Sequence, residues 1–318
     1  MTGGELLMAS ALDALVGDPR WLPHPVRMMG RSIAWLDDRV RAICRSEMSR
    51  RLAGICLAGG LPIVTYGLGS VIIEEAEQLA EWLGSALSIA LASTTLAARD
   101  LWNHVRAVNG PLGVGDLPTA RRAVAMIVGR DTAELSESEV ARATVETVAE
   151  SSADGVIAPL FYLAVGGAPL ALAYKAVNTL DSMIGHRDGH YADFGWASAR
   201  LDDLANWIPA RLTAVLLIVG AALTAGQLHR ARNGWRVFRR DGHKHPSPNS
   251  GRPEAAMAGI LGVRLGGTNF YDGIAQDRSV LGQEGREVEP DDIAPAAQVM
   301  VAASVLGICL AVGMAWLL

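Results

Sequence analysis

Long apolar runs alternate with polar stretches along the whole chain. Five runs come close to or exceed the roughly 20 residues a helix needs to cross a bilayer. They cover residues 52–73, 79–98, 156–174, 207–226 and 296–318. Polar segments fill the remainder: 17–51, 99–155, 175–206 and 227–295. Residues 6–16 are apolar but too short to span, so they are expected to pack inside or lie at the interface. Gly166-Gly167-Ala168-Pro169 interrupts the third run at its middle, and Arg211 sits one turn into the fourth. The pattern predicts an all-α, polytopic integral membrane protein. It would be a single domain over 1–318, with about four to five apolar segments and polar helical cytoplasmic loops. Within those loops, helices are expected over 117–128, 136–150 and 253–261. Ser136 followed by Glu139 reads as a capping box.

Arginine placement gives an orientation. The basic stretch from Arg20 to Arg51 is expected in the cytoplasm, and the acidic turn Glu74, Glu75 and Glu77 outside. If 156–174 crosses fully, the polar residues after it lie outside. If the chain turns at 166–169, it dips in and returns. A crossing by 207–226 would then put the basic segment 230–286 outside, against the same rule. One of these two segments is therefore expected not to cross completely, leaving the polar cluster at the cytoplasmic face.

Composition agrees with a membrane protein. The chain has 318 residues, is 50% hydrophobic and only 19% charged, against roughly 25% charged in soluble domains. Its mean hydropathy is +0.24. The net charge of −5 and the lack of a basic stripe with aromatics exclude a nucleic-acid partner. Cys44, Cys56 and Cys309 are scattered, so no disulfide framework or thiolate metal site is expected. Glu5 and Asp13 interrupt the first apolar run, against a signal peptide.

Set into this apolar background are groups that are costly to bury unpaired. Glu146, Glu150 and Asp154, at i, i+4 and i+8, line one face of a helix. Their neighbours are Thr, Val, Ala and Ser, a setting that suits Mg²⁺ shared with phosphate oxygens. Lys175, Asn178 and Asp181 share a face in the same way. Arg200, Asp202, Asp203, Asn206 and Arg211 follow, with Trp207 as an interfacial anchor. Prolines stiffen the loop holding Asp18, Arg20 and His24. Arg130 is a candidate anion clamp. The loop from His245 through Asn249 to Glu254 opens a helix whose free amides suit an anion. His186 and His190 lack the glutamate of a zinc-protease motif, and no P-loop is present.

In order along nearly the whole chain, these blocks resemble the CbiB/CobD family, adenosylcobinamide-phosphate synthase. They are Gly17-Asp18-Pro19 to Pro25, Met126 to Thr132, Arg142 to Gly155, Tyr174 to Met183, Asp193 to Trp196, Arg200 to Arg211, and Ser247 to Met257. Ser151-Ser152-Ala153 is a mild departure from the pattern. The resemblance implies a multi-pass cell-membrane ligase. It would join the propionate of adenosylcobyric acid, a corrinoid substrate, to (R)-1-aminopropan-2-ol or its O-phosphate, driven by ATP and Mg²⁺, through an acyl phosphate.

Residue chemistry then suggests roles. Glu146, Glu150, Asp154 and Asp181 are expected as metal ligands or base, with Glu150, Asp154, Lys175 and Asp181 catalytic. Lys175, Arg200 and Arg211 would neutralise phosphate charge. Asp202, Asp203 and Asn206 would place metal or amino alcohol, with Asn178 beside them. Asp18, Arg20, His24, Arg130, Asn249 and Glu254 would contact substrate. A transporter or a non-catalytic membrane sensor for a polar ligand is the alternative. Oligomeric state stays open, with a homo-oligomer one option.

Overall fold

The computed structural model describes residues 1–19, 24–185, 191–225 and 228–317. Arg20, His186 and His190, singled out above, lie outside the described residues. The chain is an all-α polytopic membrane protein with one small β-hairpin. The chain gathers into two compact units. Unit 1 comprises Met1–Ala97, Ala158–Asn206 and Ile308–Leu318; unit 2 comprises Ala98–Ile157 and Trp207–Gly307.

In unit 1, helix α1 (Gly3–Val16) starts at a Thr2–Glu5 capping box and ends at Gly17. Its 14 residues are too few to span. It buries Leu6 and Ala9 and exposes Leu7, Met8, Leu15 and Val16. Helix α2 (Pro25–Ile43) is amphipathic and buries Met29, Ile33 and Asp37, spaced at i, i+4 and i+8. Helix α3 (Glu47–Leu79) is 33 residues long, and only 11% of its most apolar window is buried. A side chain so placed needs hydrocarbon around it.

The expected run 79–98 is corrected. The backbone is extended at Ala80, and α4 (Glu81–Ser93) has only 13 residues, about 20 Å of helix. Thr94 and Thr95 turn their hydroxyls back onto the carbonyls of Leu91 and Ala92, 2.7 Å each, and the helix stops there.

Helix α8 (Ala158–Ile184) breaks at Gly166 and Gly167, and the latter lies at φ +67°. The break reverses the chain. Twelve helical residues would separate Tyr162 and Tyr174 by about 18 Å, yet their rings stack with centroids 4.8 Å apart. The two halves, 158–165 and 168–184, therefore form a helical hairpin that dips and returns. The composition of a span is present without a continuous one. Leu172, Ala176, Leu180 and Ile184 of the second half pack with Met29 and Ile33 of α2 and with Phe194. Helix α9 (Trp196–Ala205) completes the unit. Gly54 of α3 lets the backbone at Phe194 approach, since a Cβ there would lie 2.0 Å from the Phe194 carbonyl oxygen. Gly167→Ala is expected to cost about 1–2 kcal/mol through its left-handed backbone, read as a lower melting temperature in detergent.

In unit 2, α5 (Ala98–Gly113) and α6 (Leu117–Val124) lead to α7 (Glu137–Ser152), which begins at the expected Ser136–Glu139 capping box. A π-helical turn, Ala153–Ile157, follows directly. Helices α10 (Trp207–Ala225), α11 (Leu228–Asp241) and α12 (Gly251–Leu261) precede strands β1 (Leu265–Tyr271) and β2 (Ile274–Leu281). The strands pair antiparallel in register Tyr271↔Ile274, around Asp272 at φ 51° and Gly273 at φ 75°. The all-α reading of the sequence does not anticipate this hairpin. Helix α13 (Ile293–Leu317) ends the described chain. By length and composition, α3, the joined α7–α8 stretch, α10 and the segment ending in α13 reach membrane-crossing size.

Candidate functional site

The polar residues of unit 2 converge around α7. Glu146 is buried, and its carboxylate is held from three directions. Arg130 Nη2 donates to Oε2, the Gly266 amide donates to Oε1 at 2.8 Å, and Arg142 Nη1 lies 3.7 Å from Oε1. The two guanidiniums also converge on Asn269 of β1: Arg130 Nη1 donates to Oδ1 at 2.9 Å and Arg142 Nη2 at 3.2 Å. Arg142 Nη1 further donates to the Gly266 carbonyl. Local rules place these groups. Arg142 sits one turn before Glu146. Asp131, next to Arg130, accepts the Asp272 and Gly273 amides at 3.3 and 2.8 Å, which ties that segment to the tip of the β-hairpin.

One turn along α7, Glu150 accepts the Ser250 hydroxyl at 2.8 Å. Ser250 belongs to the proline-rich loop, which folds on itself. Ser247 Oγ accepts the Asn249 and Ser250 amides at 3.2 and 3.3 Å, and the Ser247 amide donates to His245 Nδ1 at 3.0 Å. A neutral His245 then carries its proton on Nε2. Burial lowers its proton affinity and Arg278 lowers it further, against the opposite pull of Glu150 and Glu146. Glu254 of α12 is 3% exposed. Burial first, then the charges of Glu150 and Glu146, push its carboxyl well above the usual range despite Arg278 and Arg130. Three carboxyls within electrostatic reach of one another cannot all stay ionised cheaply, and the most buried of them, Glu254, has its proton affinity raised.

Two donors in this cluster have no acceptor among the described residues: His245 Nε2 and Asn269 Nδ2, the latter on a residue 3% exposed. Arg252 Nε, at the start of α12, is buried in the same state. Native interiors leave few such groups. Donors of this kind beside two or three guanidiniums are suited to oxygen-rich anions, carboxylate or phosphate.

Of the three carboxylates expected on one face, Glu146 and Glu150 lie on α7 and Asp154 on the π turn that follows it. A π turn winds more residues per turn than the α-helix before it, so the spacing of an ideal α-helix does not carry through to Asp154. The described residues contain no group of three or more His, Cys, Asp or Glu placed to hold a metal. The Glu146 oxygens are already engaged by two arginines and an amide. The donor set fits Mg²⁺ in kind, as hard oxygens, but in number it fits only an ion that takes most of its shell from phosphate and water.

In unit 1, His24 Nε2 and Asp18 Oδ1 are 2.9 Å apart, with His24 buried. Lys175 Nζ donates to Asn178 Oδ1 at 3.3 Å. Asp181 lies one turn before Gly185, whose amide donates to the Asp181 carbonyl at 2.8 Å. Asn206, 1% exposed, accepts the Tyr174 hydroxyl at 2.9 Å and donates Nδ2 to Asp202 at 3.0 Å. Tyr162 donates to the Ala205 carbonyl at 2.9 Å. Asp202 and Asn206 were expected to place metal or amino alcohol; here their contacts tie α9 to the helical hairpin. Arg200 is exposed and sits 3.6 Å from Asp203. In unit 2, Arg211 donates to the Trp207 carbonyl at 2.6 Å and stacks over the Trp207 ring.

Sequence reasoning brought Arg130, Glu146, Glu150, Asn249 and Glu254 into the unit 2 cluster. It missed Arg142, His245, Ser250, Asn269 and Arg278. For Arg142 the signal was its i−4 spacing to Glu146. Asn269 and Arg278 depend on the strand register.

Comparison with known proteins agrees with this arrangement of blocks. The family described as "CobD/Cbib protein" matches residues 6–300. A "Cobalamin biosynthesis protein CobD" of Geobacter metallireducens is 50% identical over 280 residues, 88% of this chain and 86% of that protein. One from Klebsiella pneumoniae is 44% identical, covering 96% of this chain and 95% of the relative. A "Cobalamin biosynthesis protein CbiB" of Salmonella typhimurium is 42% identical, covering 95% and 94%. No solved structure matches.

Proposed function

The chain belongs to the CobD/CbiB family, and on that premise we propose that it acts in cobalamin biosynthesis as an ATP-dependent amide ligase. It would join the propionate carboxylate of adenosylcobyric acid to (R)-1-aminopropan-2-ol or its O-phosphate at the cytoplasmic face of the cell membrane. The observation that supports this most directly is the unit 2 cluster. There, Arg130, Arg142 and Arg278 face Glu146, Glu150 and Glu254, with the buried donors His245 Nε2 and Asn269 Nδ2 beside them.

A carboxylate and an ammonium do not condense in water unaided. In the proposed route the substrate carboxylate attacks the terminal phosphorus of ATP, and ADP leaves. The neutral amine then attacks the acyl carbon, inorganic phosphate leaves, and the amine nitrogen gives up a proton. The chain's part is to hold anions and to move protons. Arg130, Arg142 and the His245 and Asn269 donors suit a carboxylate or phosphoryl oxygen. Glu254, once ionised, has its proton affinity raised by burial and by Glu150 and Glu146, which suits it to accept the amine proton. Glu150 can relay that proton, its link to Ser250 fixing its orientation. Mg²⁺, when bound with ATP, would offset phosphate charge; Glu150 and Asp154 are the oxygen donors suited to it. Lys175, Asp181, Asn178, Asp18 and His24 keep phosphate-neutralising and substrate-contacting roles on their chemistry alone.

The test uses purified full-length chain with adenosylcobyric acid, the amino alcohol or its phosphate, ATP and Mg²⁺. Product of amide mass and matching ADP release are expected, each absent when one reactant is left out. Binding of the corrinoid with neither product nor ADP would support a transporter or sensor and end the ligase reading.

A further inference from the structure

Helix α10 has the composition of a membrane span, but its neighbours do not. Helix α11 begins at Leu228, three positions after α10 ends at Ala225, and runs back along it. A methyl built at Gly234 would lie 3.3 Å from Ile218 Cγ1, half-way down α10. At the far end, Phe238 lies under the Arg252 guanidinium, centroid 5.9 Å away, and Arg252 is within electrostatic reach of Arg211, one turn into α10. Helix α11 therefore lies beside α10 for most of its length.

The face of α11 turned from α10 is basic. Ala231, Gly234, Val237 and Asp241 are its buried side. Arg232, Arg236 and Arg239 fall within about 60° of one another on the opposite side at 3.6 residues per turn, and all three are exposed. None has a carboxylate partner among the described residues. Leu228 and Trp235, 58% and 45% exposed, flank them. On α10, Val215, Val219 and Leu223 form a narrow exposed apolar stripe at i, i+4 and i+8. Were α10 to cross the bilayer, the three unpaired arginines beside it would stand at hydrocarbon depth, where such groups are rare and costly. A pair of helices with one apolar stripe, aromatic and leucine anchors and a cationic face has the character of an element lying in the interface.

We propose that α10 and α11 form an antiparallel hairpin that does not cross the membrane but lies in its surface, with Arg232, Arg236 and Arg239 on anionic phospholipid headgroups. This stands independently of the ligase reading.

The test is spin-label depth in vesicles. Full-length protein with serine at its three cysteine positions carries a single label at His229→Cys, on the exposed side of α11. It is reconstituted in phosphatidylcholine with and without phosphatidylglycerol. Collision with oxygen and with a neutral nickel chelate then reports depth. The expected label sits at headgroup level, and its nickel accessibility falls by roughly half when anionic lipid is present. Arg232→Gln, Arg236→Gln and Arg239→Gln together should abolish that lipid dependence while leaving the label on the water side. These changes touch only exposed side chains, so the fold is retained. A label in an oxygen-rich, nickel-excluded environment in every lipid would make the hairpin transmembrane and overturn the proposal. A water-exposed label indifferent to anionic lipid would also overturn it, assigning the face to an acidic protein segment or a soluble anion.

Discussion

Arg130→Ala is expected to lower stability by about 3–5 kcal/mol and to abolish product formation. Arg130 and Glu146 are both buried, with side-chain exposures of 6% and 7%. Removing the cation leaves the Glu146 carboxylate in low dielectric with the Gly266 amide and the more distant Arg142. An uncompensated buried charge costs far more than the intact pair contributes. Asn269 Oδ1 loses one of its two donors in the same step. The companion experiment separates pair from fold. Arg130→Met with Glu146→Leu removes both charges, and the double variant should recover most of the melting temperature that either single variant loses. Activity should not return with it, because the guanidinium is also assigned to substrate oxygens. A double variant no more stable than Arg130→Ala would mean that the network, not the pair, holds the segment. Full turnover in the double variant would remove Arg130 and Glu146 from the site.

The parts of this molecule that local chemistry controls were legible in the chain. The Ser136–Glu139 box starts α7 because a hydroxyl and a carboxylate three residues apart satisfy each other's backbone amides. Gly166 and Gly167 mark a break because only glycine adopts φ +67° without strain. The sequence offered a reversal at 166–169 as one of two alternatives and did not choose between them. The choice depends on Tyr162 meeting Tyr174, a contact that spacing does not encode. The β-hairpin had a signal that the glycine-rich context obscured. Asp272-Gly273 between Tyr271 and Ile274 is a two-residue turn sequence with both φ values positive. Missing it hid Asn269, since a residue on an unassigned strand has no assigned neighbours. The π turn after Ser152, which holds Asp154, had no signal in the sequence. Asp202 and Asn206, singled out for their polarity, hydrogen-bond each other, and Asn206 also accepts the Tyr174 hydroxyl of α8.

Glu254→Gln should leave the fold intact near neutral pH and lower turnover by about 100-fold or more. The two outcomes share one cause. Burial and the negative charges of Glu150 and Glu146 raise the carboxyl well above the ordinary value of 4.5, so the folded chain holds a proton there that the unfolded chain releases. Between those two values the folded state binds more protons. By linkage its stability is fully present below about 4.5 and falls as pH rises through the elevated folded value. Glutamine has the shape of the protonated acid and cannot ionise. The variant should therefore match the parent on the acid side in thermal unfolding and exceed it on the alkaline side, where the parent must hold a third negative charge beside Glu150 and Glu146. A parent whose melting temperature stays flat with pH, or a variant that follows the parent's slope, would show that Glu254 is not the group that keeps this proton. Turnover discriminates further. Glutamine cannot accept the amine proton, so the loss should appear in the rate of amide formation with binding of the amino alcohol little changed. If the loss is confined to binding, Glu254 is a contact for substrate and the proton leaves by another route, for which His245, neutral and carrying its proton on Nε2, would be the next group to substitute.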